Sequence, residues 1–343
     1  MDIKEVGESN LIQRIADTYR PSHSSIIVGI GDDAAALSVS SQNVLLTTCD
    51  LLVEDVHFDL SFTDSYYLGR KALAVNLSDI AAMGGTARYF LVSLALPPHL
   101  SLSFVDDLYR GMMALAGECH TELIGGDTNA SPSTLMIAIT VLGEAPPDNL
   151  LTRNGAQAGD SIFVTGTLGD AALGLLLLQK APSRTASSSV HTLISRHRSP
   201  FPRLKEGKKI ADNHLASAMI DVSDGLLTDL RRILSASNKG ATVFLSQLPR
   251  SKDFEQNHIY PEKTKIDCAL GGGEDYELLF TAHPSKEKEI LRSGTTGDAP
   301  ITKIGEVNDS QELVVLDHDQ KPYPVTHLGY DHFLSLREDG AVK

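Results

Sequence analysis

The sequence predicts two mixed domains of α/β or α+β type. Its 343 residues are enough for two hydrophobic cores. Strand-like and helix-like runs alternate in both halves. The composition breaks at Ala145-Pro146-Pro147-Asp148-Asn149, so we expect one domain over residues 1–146 and a second over 147–343.

In the first half, Ser24 to Val28 reads as a strand that leads through glycines into Asp32 and Asp33. Asn43 to Thr48 reads as a second strand, with Asp50 following it. Ser65 to Met83 is rich in Ala and Leu, and Gly84-Gly85 supplies a helix stop. Tyr89 to Leu96 is a third strand, closed by Pro97-Pro98, and Leu102 to Cys119 has helical spacing. Gly125-Gly126-Asp127-Thr128 reads as a tight loop and Leu135 to Leu142 as a fourth strand.

In the second half, Asp160 to Thr165 reads as a strand, followed by Gly166-Thr167-Leu168-Gly169 and a helix from Asp170. The Ser-rich stretch Ala181 to Ser189 is expected to be mobile. Further expectations are a helix over Leu204 to Asn213, a strand over Ala218 to Asp221 and a helix over Asp224 to Ser237. Gly271 to Thr281 and Ile301 to Val307 have strand-like patterning. No repeat of fixed period is present.

Composition excludes several partners. The formal charge is -14, with 44 acidic against 30 basic residues, which disfavours nucleic acid and anionic membranes. No run approaches the roughly 18 apolar residues of a spanning helix, and Met1 to Glu8 lacks an apolar signal core. The three cysteines, Cys49, Cys119 and Cys268, form no CxxC pair. A reducing cytoplasm is the expected compartment.

The chemistry points to carboxylates. Asp32, Asp33, Asp50, Asp127, Asp221 and Asp224 lie at strand ends or beside glycines, where separated segments converge. Asp79 lies near a helix C-terminus, where the macrodipole disfavours an anion, and breaks a local rule among apolar neighbours. Asn76 shares its face one turn earlier. Mg2+ takes oxygen ligands from a few carboxylates and substrate phosphates, and several such ions would offset the repulsion between two phosphorylated molecules. A phosphate acceptor also needs no protein base, since its second pKa is about 6. Against this, a single Asp beside Gly is more often a turn residue, and Ser223 or Asp224 could simply cap a helix.

Other motifs fail. No G-x-x-x-x-G-K-[ST] is present, and no HRD or DFG set. Gly29-Ile30-Gly31-Asp32-Asp33-Ala34 matches a loose dinucleotide pattern, but residues 34–43 leave no room for a crossover helix. His191, His197 and His214 lack zinc spacing and read as surface or core residues. Gly166 to Gly169 could seat an anion before a helix, but a tight strand-to-helix turn is favoured.

The motifs Gly29-Ile30-Gly31-Asp32-Asp33, Lys71 to Asp79 with Ala82-Met83-Gly84, Gly125 to Thr128, Asp221-Val222-Ser223-Asp224-Gly225 and Gly272 to Leu278 resemble, in order, those of the thiamine-monophosphate kinase family. Leu151-Thr152-Arg153 and Gly329-Tyr330-Asp331-His332-Phe333 extend the resemblance from about residue 10 to residue 333. It implies a two-domain PurM-like (AIR-synthetase-like) fold, with N-terminal mixed sheets pairing into a barrel in a homodimer. It implies in-line transfer of the ATP γ-phosphoryl to thiamine monophosphate, giving thiamine diphosphate. Magnesium would be held by Asp33, Asp50, Asp79, Asp127, Asp221 and Asp224, with Thr48 and Cys49 adjoining, and a requirement for K+ is open. Cys49 stands where relatives carry Thr, which matters little if only its backbone carbonyl is used. Gly126, Asp127, Arg153 and Ser223 resemble nucleotide contacts. His57, Glu274 and His327 resemble substrate contacts, although His327 replaces an expected aromatic residue. Rival readings are another ATP-using enzyme of AIR synthetase, selenophosphate synthetase or hydrogenase-maturation type, a metal-dependent phosphohydrolase, or a non-enzymatic nucleotide- or thiamine-binding module.

Overall fold

The structure is a computed structural model that describes residues 26–28, 32–33, 35–38, 42–180, 188–295, 299–325 and 328–330. Two six-stranded sheets, each with its own helices, make up the described residues.

The first sheet holds β1 (Ile26–Val28), β2 (Ala35–Ser38), β3 (Val44–Val53), β4 (Thr86–Leu96), β5 (Glu122–Ala130) and β6 (Met136–Ala145). Their order is β1-β2-β3-β6-β4-β5, and only the β4–β5 pair is parallel. That pair requires a crossover, which α2 (Leu102–Cys119) supplies. Together with α1 (Ser65–Ala82) it covers one face of the sheet. The two helices touch through glycines: a Cβ on Gly69 would fall 1.9 Å from the Leu108 carbonyl oxygen, and one on Gly111 would fall 1.8 Å from that of Tyr66. Each helix starts on a side-chain cap, Asp64 accepting from the Tyr66 N–H and Ser101 from that of Phe104.

Two expectations are corrected here. The strand expected over Asn43 to Thr48 runs on to Val53, so Asp50 lies within it. The expected loop at Gly125 to Thr128 is instead part of the edge strand β5. Its glycines serve a close approach, because a Cβ on Gly126 would meet the Val92 carbonyl oxygen at 1.8 Å.

The second sheet holds β7 (Ser161–Thr165), β8 (Ala218–Asp221), β9 (Gly240–Phe244), β10 (Leu278–Ala282), β11 (Ile301–Asn308) and β12 (Leu313–Leu316). The order is β12-β9-β11-β7-β10-β8, with only β12–β9 parallel. Its helices are α3 (Asp170–Lys180), α4 (Ser188–Arg198), α5 (Leu204–Asp212), α6 (Leu226–Ser237), α7 (Lys252–Glu255), α8 (Glu262–Gly271) and α9 (Glu287–Thr295). Residues 181–187 of the stretch expected to be mobile lie outside the described residues, whereas Ser188 and Ser189 open α4. Of Gly271 to Thr281, expected to be strand-like, only the residues from Leu278 onward pair in the sheet.

One face of this sheet packs Ile162, Val164, Ile220 and Leu279 into the main core of the second half. The other packs Phe163, Met219 and Phe280 against Ala81 and Ala82 of α1 and Ile210 and Ala211 of α5. Helix α1 is therefore buried between the two sheets on nearly all sides, which explains its lack of an amphipathic stripe. Among the described residues, no helix is long and apolar enough to cross a membrane.

Candidate active site

Three segments bring carboxylates together. Oxygen atoms of Asp33, Asp79 and Asp221 lie within 4.8 Å of one another. Asp79 reaches the cluster from the last turn of α1, Asp221 from the end of β8 and Asp33 from just before β2. The Thr48 hydroxyl on β3 donates to Asp79 Oδ2 (2.5 Å), and the Ser78 hydroxyl donates to Asp221 Oδ2 (2.6 Å). Asn76 Oδ1 accepts from the Asp50 N–H (3.0 Å) and ties β3 to α1.

Burial and crowding set the charge state. Burial, then Asp224 and Asp33, push the Asp50 carboxyl up to about 6. Burial and Asp33 raise Asp221 to about 7. Asp79 is held well above the usual carboxylate range by burial and by Asp50, Asp221 and Asp33. Burial also raises Asp33, although the Arg153 guanidinium paired with it pulls the other way. Asp32, whose Oδ2 accepts from the Arg153 N–H, rises to about 6 through burial and the neighbouring Asp33.

These residues fit a hard divalent cation. The donor set is oxygen alone, as Mg2+ prefers. Asp33 Oδ2 is buried and receives no hydrogen bond from the chain, and a buried anionic oxygen without a donor is costly unless a cation meets it.

The loop after β8 is built around a residue that the sequence reading missed. Asp229, fully buried on α6, accepts with Oδ2 from the N–H groups of Ser223 (3.1 Å), Asp224 (3.0 Å) and Gly225 (3.1 Å). Arg232 then bridges Asp229 Oδ1 (2.6 Å) and Asp224 Oδ2 (2.5 Å). So neither Ser223 nor Asp224 caps the helix by its side chain; Gly225 is the cap residue, and Asp229 satisfies the N–H groups from within. The Asp221-Val222-Ser223-Asp224-Gly225 motif gives no hint of this role, because an Asp in a first helical turn is ordinarily a solvated one.

A cavity of about 420 Å³ opens beside the cluster. Asp50, Asp79, Asp221 and Asp224 line one end together with Ser223. Leu52, Val56, Phe62, Val75 and Leu175 provide apolar walls, and His57, His197 and Glu274 add polar groups. His57 Nδ1 accepts from the Val53 N–H (3.0 Å), which places the proton of the neutral ring on Nε2. Glu274 is paired with Lys71, and His197 Nδ1 lies 2.9 Å from Glu274 Oε2. Burial alone would raise the Glu274 carboxyl, but Lys71 and His197 outweigh it and hold it well below the usual range. His197, expected only as a surface or core residue, is thus a buried residue at the cavity. His191 and His214 are exposed.

Two expected site residues, Cys49 and Asp127, do not join the carboxylates by their side chains. Cys49 borders the cavity, but alternation along β3 turns its side chain to the face opposite Thr48 and Asp50. Asp127 and Gly126 lie on the exposed edge strand. Register runs Asp127–Ser93–Ala138–Leu51 across the sheet, which places Asp127 about 14 Å from Leu51 by strand spacing, on the face without helices. Asp127 there accepts from Asn129 Nδ2 (2.6 Å). His327 lies outside the described residues, as do Gly29 to Gly31 and Asp331 to Phe333. At Gly166 to Gly169 the turn is closed by the chain itself: Asp275 accepts from the N–H groups of Gly169 (2.7 Å) and Ala171 (3.2 Å), filling the N-terminus of α3.

Known proteins match this architecture. The family model described as "AIR synthase related protein, N-terminal domain" covers residues 31–145, and its C-terminal counterpart covers 157–318. The thiamine-monophosphate kinase of Bacillus subtilis (strain 168) is 39% identical over 314 residues, spanning 91% of this chain and 95% of that protein. The thiamine-monophosphate kinase of Escherichia coli (strain K12) is 39% identical over 329 residues, spanning 95% and 98%. A solved structure described as "AaThiL complexed with AMPPCP and TMP" superposes with a TM-score of 0.83 at 34% identity, covering 97% of this chain and 99% of that one. The fold is PurM-like, and the chain belongs to the AIR synthase related proteins and, within them, to the thiamine-monophosphate kinase family.

Proposed function

We propose that the protein transfers the γ-phosphoryl group of ATP to thiamine monophosphate. The observation that carries this reading is the cavity in which an apolar, ring-sized space runs into a converging set of carboxylates. Such a space suits a substrate with a flat organic end and a phosphate end. The relative whose structure holds AMPPCP and TMP supports the same pair of ligands.

Asp33, Asp79 and Asp221, with Asp50, Asp224 and Thr48 around them, would hold Mg2+; Cys49 would take part only through its backbone carbonyl. When bound, Mg2+ supplies charge neutralisation between the two phosphate groups. The chain then has little proton chemistry to perform. The acceptor phosphate is largely dianionic near neutral pH, with a second pKa of about 6, so it attacks without a protein base. His57 offers its Nε2–H to substrate, and Glu274 offers an acceptor. Ser223 sits on the loop that Asp229 fixes, where it can meet nucleotide. Arg153, now paired with Asp33, is a cation within reach of ATP phosphates. Gly126 and Asp127 are retained as nucleotide contacts on the open rim of the first sheet, and His327 as a substrate contact.

A homodimer is part of this proposal. The helix-free face of the first sheet exposes Leu51, Tyr89 and Met136, and β5 leaves an edge unpaired among the described residues. Pairing that face and edge with a second copy would cover both. A reducing cytoplasm suits three cysteines that remain free.

The test is direct. Purified protein with ATP and Mg2+ is given thiamine or thiamine monophosphate, and products are separated by charge. ADP and thiamine diphosphate are expected from the monophosphate, with little product from free thiamine. Equal use of free thiamine would sink the reading, because a hydroxyl acceptor needs a base. Phosphate release without transfer would favour a hydrolase.

A further inference from the structure

Lys71 is a lysine buried to 2% exposure in a protein that handles phosphates, yet it does not lie at the phosphate end of the cavity. Helix α1 explains its place. Lys71, Val75 and Asp79 are spaced i, i+4, i+8 and share one face. Asp79 belongs to the carboxylate cluster and Val75 lines the cavity wall. Lys71 is two turns farther along, about 12 Å from Asp79 by helical rise. There its ammonium meets Glu274.

Glu274 is unusual in three ways. Its backbone φ of 70° lies in the left-handed region, which a non-glycine residue adopts at a cost. That conformation is enforced by the Glu274 N–H donating to the Ser223 carbonyl (2.8 Å) and the Tyr276 N–H to that of Val222 (2.9 Å). Gly273 allows the approach, since a Cβ there would meet the Ser223 oxygen at 2.4 Å. Its side chain keeps 27% exposure and lines the cavity, while Lys71 is set behind it at 3%. On its other oxygen, the buried His197 ring approaches to 2.9 Å without the alignment of a hydrogen bond.

We propose that Lys71 is a positioning residue for substrate selection: with His197 as a second brace, it clamps the Glu274 carboxylate as a fixed anionic acceptor facing the ring end of the substrate. This deepens the thiamine monophosphate reading and rests on it. An acceptor that cannot become a donor selects a ring carrying an N–H donor, such as the exocyclic amine of an aminopyrimidine, and rejects a ring with a carbonyl in that place. Helix α1 then sets the distance between ring recognition and the phosphate end.

The experiment uses Lys71→Met, Glu274→Gln and the double variant. Binding of thiamine monophosphate is measured by calorimetry without ATP, and steady-state kinetics are measured for both substrates. Lys71→Met is expected to raise Kd and KM for thiamine monophosphate about tenfold or more, the scale of a lost charge-assisted contact, with KM for ATP unchanged. The double variant should be no weaker than Glu274→Gln alone, because both changes remove one function. Glu274→Gln, whose amide can donate, should narrow the preference for thiamine monophosphate over its 4-oxo pyrimidine analogue.

Losses in Lys71→Met that fall on kcat and on the KM for ATP would overturn the proposal, as would losses that multiply in the double variant. If Lys71→Met does not fold, the double variant against Glu274→Gln decides the same point. Wild type that binds thiamine monophosphate without phosphorylating it would refute the kinase reading alone, and the Lys71 pattern is then read in Kd. Wild type that does not bind it would refute both.

Discussion

Asp79 is placed where a helix end, an apolar setting and three other carboxylates all oppose its charge. A carboxyl that titrates higher in the fold than in the unfolded chain weakens folding as pH rises from its unfolded value towards its folded value. With Asp50 near 6 and Asp221 near 7, that window runs from about pH 4 to about pH 7. We expect Asp79→Asn to be more stable than wild type in chelator at about pH 8, by on the order of 1–2 kcal/mol, with the gain shrinking towards pH 5. Mg2+ should reverse the order, and activity should nearly vanish. Urea titrations at both pH values, with and without Mg2+, check this; a variant that is destabilised but active would make Asp79 structural. Much of this site was legible in the sequence, because each carboxylate sits at an odd place for a charge. Lys71 and His197 were not, since burial and pairing with Glu274 across more than 70 positions leave no local trace; Asp229 was not, because an Asp in a first helical turn gives no sign that it is buried beneath the N–H groups of the preceding loop. The face that the Cys49 and Asp127 side chains take was not legible either, since strand alternation and register decide it.

At the scale of elements, helix α6 and the loop before it stand on one carboxylate. Asp229→Ala would strand the buried N–H of Gly225, the part-buried N–H groups of Ser223 and Asp224, and the Arg232 guanidinium. We expect a loss of about 3 kcal/mol or more, with activity falling alongside as Asp224 loses its bridge. An unchanged urea midpoint would show that solvent replaces Asp229 without cost. Helices with plain signals, such as Leu102 to Cys119, were readable to the residue. β5 was not, because Gly125 and Gly126 imitate a turn while serving a close strand approach. Similarly, α8 ends at Gly271 with Gly272 as its cap residue, and these glycines, which bear no side chain to mark a helix, read as the start of a strand.

At the scale of the molecule, the open face of the first sheet makes a prediction about assembly. Tyr89 is 45% exposed on that face and remote from the carboxylates in sequence and register. Tyr89→Glu should shift sedimentation from dimer towards monomer. A wild-type monomer, or a dimer indifferent to Tyr89→Glu, would remove the open face as the contact.

Helix α1 belongs to both cores, with Leu73 and Leu77 in the first and Ala81 and Ala82 in the second. Ser78 on the same helix bonds Asp221 of the second sheet. Neither half can therefore melt while leaving the other's interior intact. The two halves should lose structure in one calorimetric transition, with van't Hoff and measured enthalpies in agreement in the dilute, metal-free protein. Amide hydrogens of α1 should exchange only through global opening, and so be among the slowest in the chain.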